Sequence, residues 1–109
     1  EFIEKSLKFD KDRVPKNAVI RNRKDGDVFK KFGGGTKKLK DFLIDKKVPR
    51  YSRDTIPVLA VENQILAVFG VEISEDIKVD ETTKTTLYAK ILYEEQLKRI
   101  TKFFVILFS

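Results

Sequence analysis

Val58-Leu59-Ala60-Val61-Glu62-Asn63-Gln64-Ile65-Leu66-Ala67-Val68-Phe69 sets two apolar runs on either side of three polar residues. Each run is four or five residues long, which suits a buried strand and is too short for a helix. The polar Glu62-Asn63-Gln64 between them is a hairpin connection. Gly70 ends the second strand. An antiparallel pair is therefore expected at Val58–Val61 and Ile65–Phe69.

Working outward, Phe2–Phe9 partly alternates, with Ile3, Leu7 and Phe9 on one face, and reads as a strand. Asp10–Lys16 is a charged turn closed by Pro15. Ala18–Arg23 is a second strand, with Val19, Arg21 and Arg23 on one face and Ala18, Ile20 and Asn22 on the other. Asp25-Gly26 supplies the positive φ of a tight turn over Lys24–Asp27. The two carboxylates of Asp25-Gly26-Asp27 are too few for a metal site, so a structural turn is preferred. Thr36 is expected to cap a helix in which Leu39, Phe42 and Leu43 form the buried stripe. That helix should stop near Lys46 or Lys47, because Pro49 disfavours helix at Val48. Ser52–Thr55 is expected to make one helical turn capped by Ser52. Thr86–Tyr93 reads as another strand, with Leu87, Ala89, Ile91 and Tyr93 together. The tail admits two readings. Leu97, Ile100, Phe104 and Leu107 fit a helix beginning at Glu94, whereas Phe103–Phe108 alone fits a buried strand; the helix is preferred. Strands outnumber helices without βαβ alternation, so the expected class is α+β with mostly antiparallel pairing.

At 109 residues the chain fits one small domain. A domain of this size buries roughly 60–70% of the surface of its unfolded chain, and nine Phe help to fill its core. Glu1–Phe9 reads like the middle of a strand, so an excised fragment is expected. There is no apolar run long enough to span a membrane. The chain has no Cys and no His, which removes thiolate nucleophiles, Ser-His-Asp triads and the common zinc sites. No catalytic residue and no metal site is assigned.

Charge is concentrated. Twelve basic and four acidic residues lie between Arg21 and Arg53, a net +8, while the whole chain carries +6 and the remainder −2. Such a block is the footprint of a polyanion partner, or else a solubilising lysine surface. Within it, Lys30–Lys40 reads KKFGGGTKKLK. A glycine loop entering a helix lets a phosphate approach the free N–H groups of the first turn. Lys37 and Lys38 would sit in that turn, where the helix dipole disfavours cations unless an anion is near. The rival reading is that Gly33, Gly34 and Gly35 only shape a turn. The P-loop spacing is not met, nor is the dinucleotide fingerprint. Phe29, Phe32 and Phe42 are expected to pack inward, leaving Tyr51 as the one candidate for base stacking. A basic surface without displayed aromatics suits the backbone of structured RNA.

Three motifs in order carry a resemblance. Val19–Phe29 is similar to an R-x-R-x-x-G-D-x-F segment, and Gly34–Phe42 to G-G-x-K-K-L-K-D-x-F. Val48-Pro49, Arg53-Asp54 and Ile56-Pro57-Val58 follow as V-P-x-x-x-R-D-x-x-P. Over residues 18–78 the chain resembles the C-terminal domain of the bacterial tRNA(Ile)-lysidine synthetases, TilS. The resemblance implies a β/β/α-layered fold shared with a domain of the phenylalanyl-tRNA synthetase β subunit. It implies an ATP-dependent ligase that attaches lysine to the wobble cytidine of tRNA(Ile) with anticodon CAU. Chemistry, with ATP and Mg, would belong to an N-terminal domain carrying S-G-G-x-D-S, a loop not found here. This domain would then bind the tRNA acceptor stem without catalysing anything alone.

The resemblance makes Arg21, Arg23, Lys37, Lys38, Lys40 and Arg53 RNA-contact candidates. Gly26, Gly33, Gly34, Gly35 and Thr36 become the backbone-geometry or anion-loop positions. Arg53 and Asp27 are alternatively a pair inside the fold. Val28 stands where the family often has Arg, so one phosphate contact is missing. Implied partners are tRNA(Ile) and the enzyme's own catalytic domain, in the cytoplasm, with a homodimer left open and no membrane. Residues 1–93 are assigned to the TilS-like domain and 94–109 to an extension without an inherited role. The rival function is a protein-interaction or structural module that keeps only the fold.

Overall fold

The computed structural model describes residues 2–96 and 99–109, and the side chains of residues 5–92 and 105–109. Nine strands are described: β1 (Phe2–Asp10), β2 (Val19–Asn22), β3 (Val28–Lys30), β4 (Thr36–Lys38), β5 (Pro57–Val61), β6 (Gln64–Val68), β7 (Glu72–Ile73), β8 (Thr86–Gln96) and β9 (Arg99–Phe108). The two α-helices are α1 (Leu39–Asp45) and α2 (Arg50–Arg53). One sheet runs β1-β8-β9 and the other β2-β5-β6-β3-β4, with β7 also pairing β6. Every pairing is antiparallel except β3 with β6.

The quoted hairpin is the centre of the molecule, and its side chains divide between two cores. Val58, Ala60, Ile65 and Val68 face Phe29, Leu39, Phe42 and Leu43, so the helices cover that side. Leu59, Leu66, Ala67 and Phe69 face Phe9, Ala89 and Ile91 of the other sheet. Strict alternation would split Leu66 from Ala67. A register shift between β5 and β6 leaves Leu66 without an opposite residue, and such a bulge lets two neighbours point to one face. The result is three layers in the order sheet, sheet, helices. This is the expected α+β fold, and it explains why both hairpin strands are continuously apolar: each is covered on both faces. The layers meet closely at Gly70. Its φ is +85, and a Cβ there would lie 3.1 Å from Ile91 Cγ2.

Three local expectations need correction. Thr36 is not a helix cap. Thr36–Lys38 pairs with Val28–Lys30, and the Leu39 N–H donates to the Asp27 carbonyl at 2.9 Å. That ladder holds the chain extended until Leu39, so α1 starts two residues late and without a side-chain cap. Gly33, Gly34 and Gly35, with φ of 86, 81 and 91, instead close the β3–β4 hairpin. Second, the short helical turn is Arg50–Arg53, preceded by Pro49; the Ser52 hydroxyl donates to the Pro49 carbonyl rather than capping the turn. Third, the tail from Glu94 is not helical. β8 continues through Gln96, and β9 returns along it from Gln96↔Arg99 to Tyr88↔Phe108. Leu97, on which the helical pattern partly rests, and Lys98 lie outside the described residues. Among the described residues no helix is long and apolar enough to cross a membrane.

Candidate functional site

The basic block folds around the end of β2, the turn that follows it, and the two helices. Arg21 ends up in β2 and Arg23 just beyond it, two residues apart, yet their surroundings differ. Arg21 makes a two-pronged pair with Asp27, Nη1 to Oδ2 and Nη2 to Oδ1, both at 2.9 Å. The same two terminal nitrogens also donate to the Asn22 carbonyl at 2.8 Å and the Glu62 carbonyl at 2.7 Å. Asp27 also accepts the Lys24 N–H at 2.7 Å, which closes the Lys24–Asp27 turn around Gly26. Burial opposes the charged form of Asp27, but the Arg21 hydrogen bonds and the Lys24 N–H outweigh it and hold its carboxyl below the usual range. The same pair raises Arg21. Asp27 thus pairs with Arg21 and not with Arg53.

Arg23 turns the other way. Its Nη2 meets Asp54 Oδ1 at 2.6 Å, and that aspartate side chain is 79% exposed. Its Nε is buried and has no hydrogen-bond partner. Two clefts open beside it, each of about 320 Å³. One is lined by Arg23, Lys24, Asp25, Asp27, Lys38 and Lys40. The other is lined by Arg23, Lys40, Arg50, Arg53 and Asp54. Sharing Arg23 and Lys40, the clefts form one basic surface. Among the described residues, Lys24, Lys38, Lys40 and Arg50 have no acidic partner within 4 Å. The backbone fixes the rim: the Asn22 side-chain amide donates to the Asp54 carbonyl at 2.9 Å, and Arg53 Nε donates to the Val48 carbonyl at 3.0 Å.

Of the six cations expected at the site, Arg23, Lys38, Lys40 and Arg53 come together here. Arg21 lines neither cleft, and both of its terminal nitrogens are engaged. Lys37 shares the face of Phe29 in the β3–β4 register and pairs with Asp45 of α1. Lys24 and Arg50 belong to the surface but were not singled out from the sequence. Both lie in the basic block, and only the fold of the turn and of α2 brings them to Arg23. Gly33–Gly35 sit at the turn of the β3–β4 hairpin, separated from the start of α1 by β4. Phe32, expected inside, is 45% exposed, with the Lys78 ammonium 5.5 Å from its ring. Tyr51 is 37% exposed. Among the described residues no group of His, Cys, Asp or Glu could hold a metal ion.

The chain is similar to known proteins in sequence and in fold. Residues 18–89 match the model of the TilS substrate C-terminal domain. The chain is 46% identical over 80 residues to the tRNA(Ile)-lysidine synthase of Caldanaerobacter subterraneus subsp. tengcongensis, covering 72% of this chain and 17% of that protein. It is 43% identical over 89 residues to that of Clostridium tetani, covering 81% and 19%. The chain therefore spans about a fifth of the length of these relatives. A crystal structure of a TilS C-terminal domain aligns with a TM-score of 0.59 and 31% identity, over 80% of this chain and 66% of that one. On the match of its residues 18–89, this chain belongs to the TilS substrate C-terminal domain family.

Proposed function

We propose that the paired basic clefts bind the sugar–phosphate backbone of tRNA. In this reading the chain is the acceptor-stem-binding domain of a tRNA(Ile)-lysidine synthase working in the cytoplasm. ATP, Mg and the lysine-transfer chemistry belong to the catalytic domain of the whole enzyme. The observation that carries the reading is the cluster of Lys24, Lys38, Lys40 and Arg50, four cations without acidic partners around the half-satisfied Arg23. Cations kept this close repel one another, and a phosphate chain relieves the repulsion while releasing its own counterions. The surface offers point charges and guanidinium forks without a row of aromatics, which favours a folded backbone over splayed bases.

The test is binding of tRNA to the purified chain, followed by fluorescence anisotropy at low salt. Lys40→Ala combined with Arg50→Ala should weaken binding about tenfold, the scale of one lost charge-assisted contact. Neither side chain is buried, so the fold should be unaffected. Unchanged affinity in the double variant, or no binding of any tRNA at low salt, would favour the alternative of a module that keeps only the fold.

A further inference from the structure

The second cleft holds four cations, Arg23, Lys40, Arg50 and Arg53, and one carboxylate, Asp54. That carboxylate is attached from outside. Its backbone carbonyl is held by Asn22, its side chain is 79% exposed, and one oxygen meets Arg23 Nη2 at 2.6 Å. The adjacent Arg23 Nε is buried and unpartnered. The guanidinium edge made by Nε and Nη2 is shaped for an anion with two oxygens in one plane, and Asp54 satisfies half of it.

We propose that Asp54 is a resident anion occupying a phosphate seat on Arg23, displaced when a backbone phosphate of RNA enters the cleft. This rests on the RNA-binding reading above and names the atoms of one contact within it. A phosphate can present two non-bridging oxygens to Nε and Nη2 together, so it meets the donor that Asp54 leaves unmet. Lys40 and Arg50 line the same cleft and add attraction that a single carboxylate does not exhaust. Displacement is inexpensive, because an ion pair with one partner this exposed contributes about 1 kcal/mol or less. Rotation of the Asp54 side chain into solvent clears the seat while Asn22 keeps the loop in place. Asp54 therefore acts as a selectivity filter: weak or singly contacting anions fail to displace it, whereas a polyanion held at several points succeeds.

The experiment compares Asp54→Asn with Asp12→Asn, a control that removes the same charge from an exposed turn outside the cleft. Binding of a tRNA and of inorganic phosphate is measured on the full chain, the latter through the Arg23 Nε–Hε NMR resonance. Asp54→Asn should tighten tRNA binding up to about fivefold, the fold-change of the ion pair it removes. Asp12→Asn should change it less than twofold. Phosphate should shift the Arg23 resonance at lower concentration in Asp54→Asn than in the unmodified chain. Equal effects of the two substitutions on tRNA and phosphate, or weaker binding in Asp54→Asn, would overturn the displacement. The Lys40→Ala, Arg50→Ala variant separates this from failure of the parent reading. If tRNA binding ignores that variant while phosphate still responds to Asp54→Asn, the seat exists and the RNA reading falls.

Discussion

Arg21 and Arg23 are separated by one residue and carry the same charge, yet one is engaged within the fold and the other keeps a buried donor without a partner. Around Arg21 the fold supplies acceptors from three segments, and its side chain is 16% exposed with its partner Asp27 at 2%. Around Arg23 the fold supplies more cations than acids, and the carboxylate that pairs with it, Asp54, is largely exposed. The difference is set by which loops come near. The β5–β6 turn delivers the Glu62 carbonyl to Arg21, while α1 and α2 deliver Lys40, Arg50 and Arg53 to Arg23. Arg13 supports the lesson elsewhere. It is held by Asp10, Asp80, Thr82 and the Lys78 carbonyl, so it clasps β1 to the loop before β8 and has little left for a ligand. An arginine whose two terminal nitrogens are both engaged holds the fold, and one with a buried unmet donor among other cations is where the proposed phosphate would sit.

The comparison can be broken by substitution. Arg21→Ala should have the largest effect on stability, because it strands a buried Asp27 charge, a loss of about 3 kcal/mol. For a domain of this size, that lowers the melting temperature by more than about 10 °C. Calorimetry or urea unfolding measures it. Arg23→Ala should cost less than about 1 kcal/mol, since its partner is exposed, while weakening tRNA binding severalfold. If the two arginines proved equal in stability, the division between them would be wrong.

Acid sharpens the same division. Thr82 and Arg13 hydrogen bonds hold Asp80 at about 2, and Asp27 is also lowered. A lowered carboxyl stabilises the fold above its unfolded value and stops doing so as pH falls through its folded value. The contribution of these two groups should therefore be level above about pH 4. It should decline from 3.8 towards about 2 for Asp80, and in the same direction for Asp27. Melting temperatures across that range should fall less steeply in Asp80→Asn than in the unmodified chain. Equal slopes would mean that the Arg13 clasp contributes nothing.

Much of this was legible before the structure, and the failures share a cause. The apolar strands at Val58–Phe69, the Leu39, Phe42, Leu43 stripe and the Lys24–Asp27 turn follow from local pattern. What local pattern missed was pairing between distant segments. Thr36–Lys38 looks like a helix start until Val28–Lys30 is placed beside it. Glu94 onward looks helical until β9 is laid back along β8. The site divided in the same way. Arg23, Lys38, Lys40 and Arg53 sat in recognisable motifs, but Arg21 carried the same motif signal and turned out to be occupied. Only three-dimensional contact identifies the acceptors around it, and only the fold of α2 adds Arg50.

The most direct test is the salt dependence of tRNA binding by the intact chain, set against a variant with Arg23, Lys38, Lys40 and Arg50 all changed to Ala. Each phosphate neutralised contributes roughly −0.7 to −0.9 to the slope of log K against log salt. Removing four working cations predicts a slope shallower by about 3 in the variant than in the intact chain, with Lys24 and Arg53 left to carry the remainder and both proteins folded. Equal slopes in the two, or a flat line in the intact chain, would contradict a basic cleft that binds the RNA backbone.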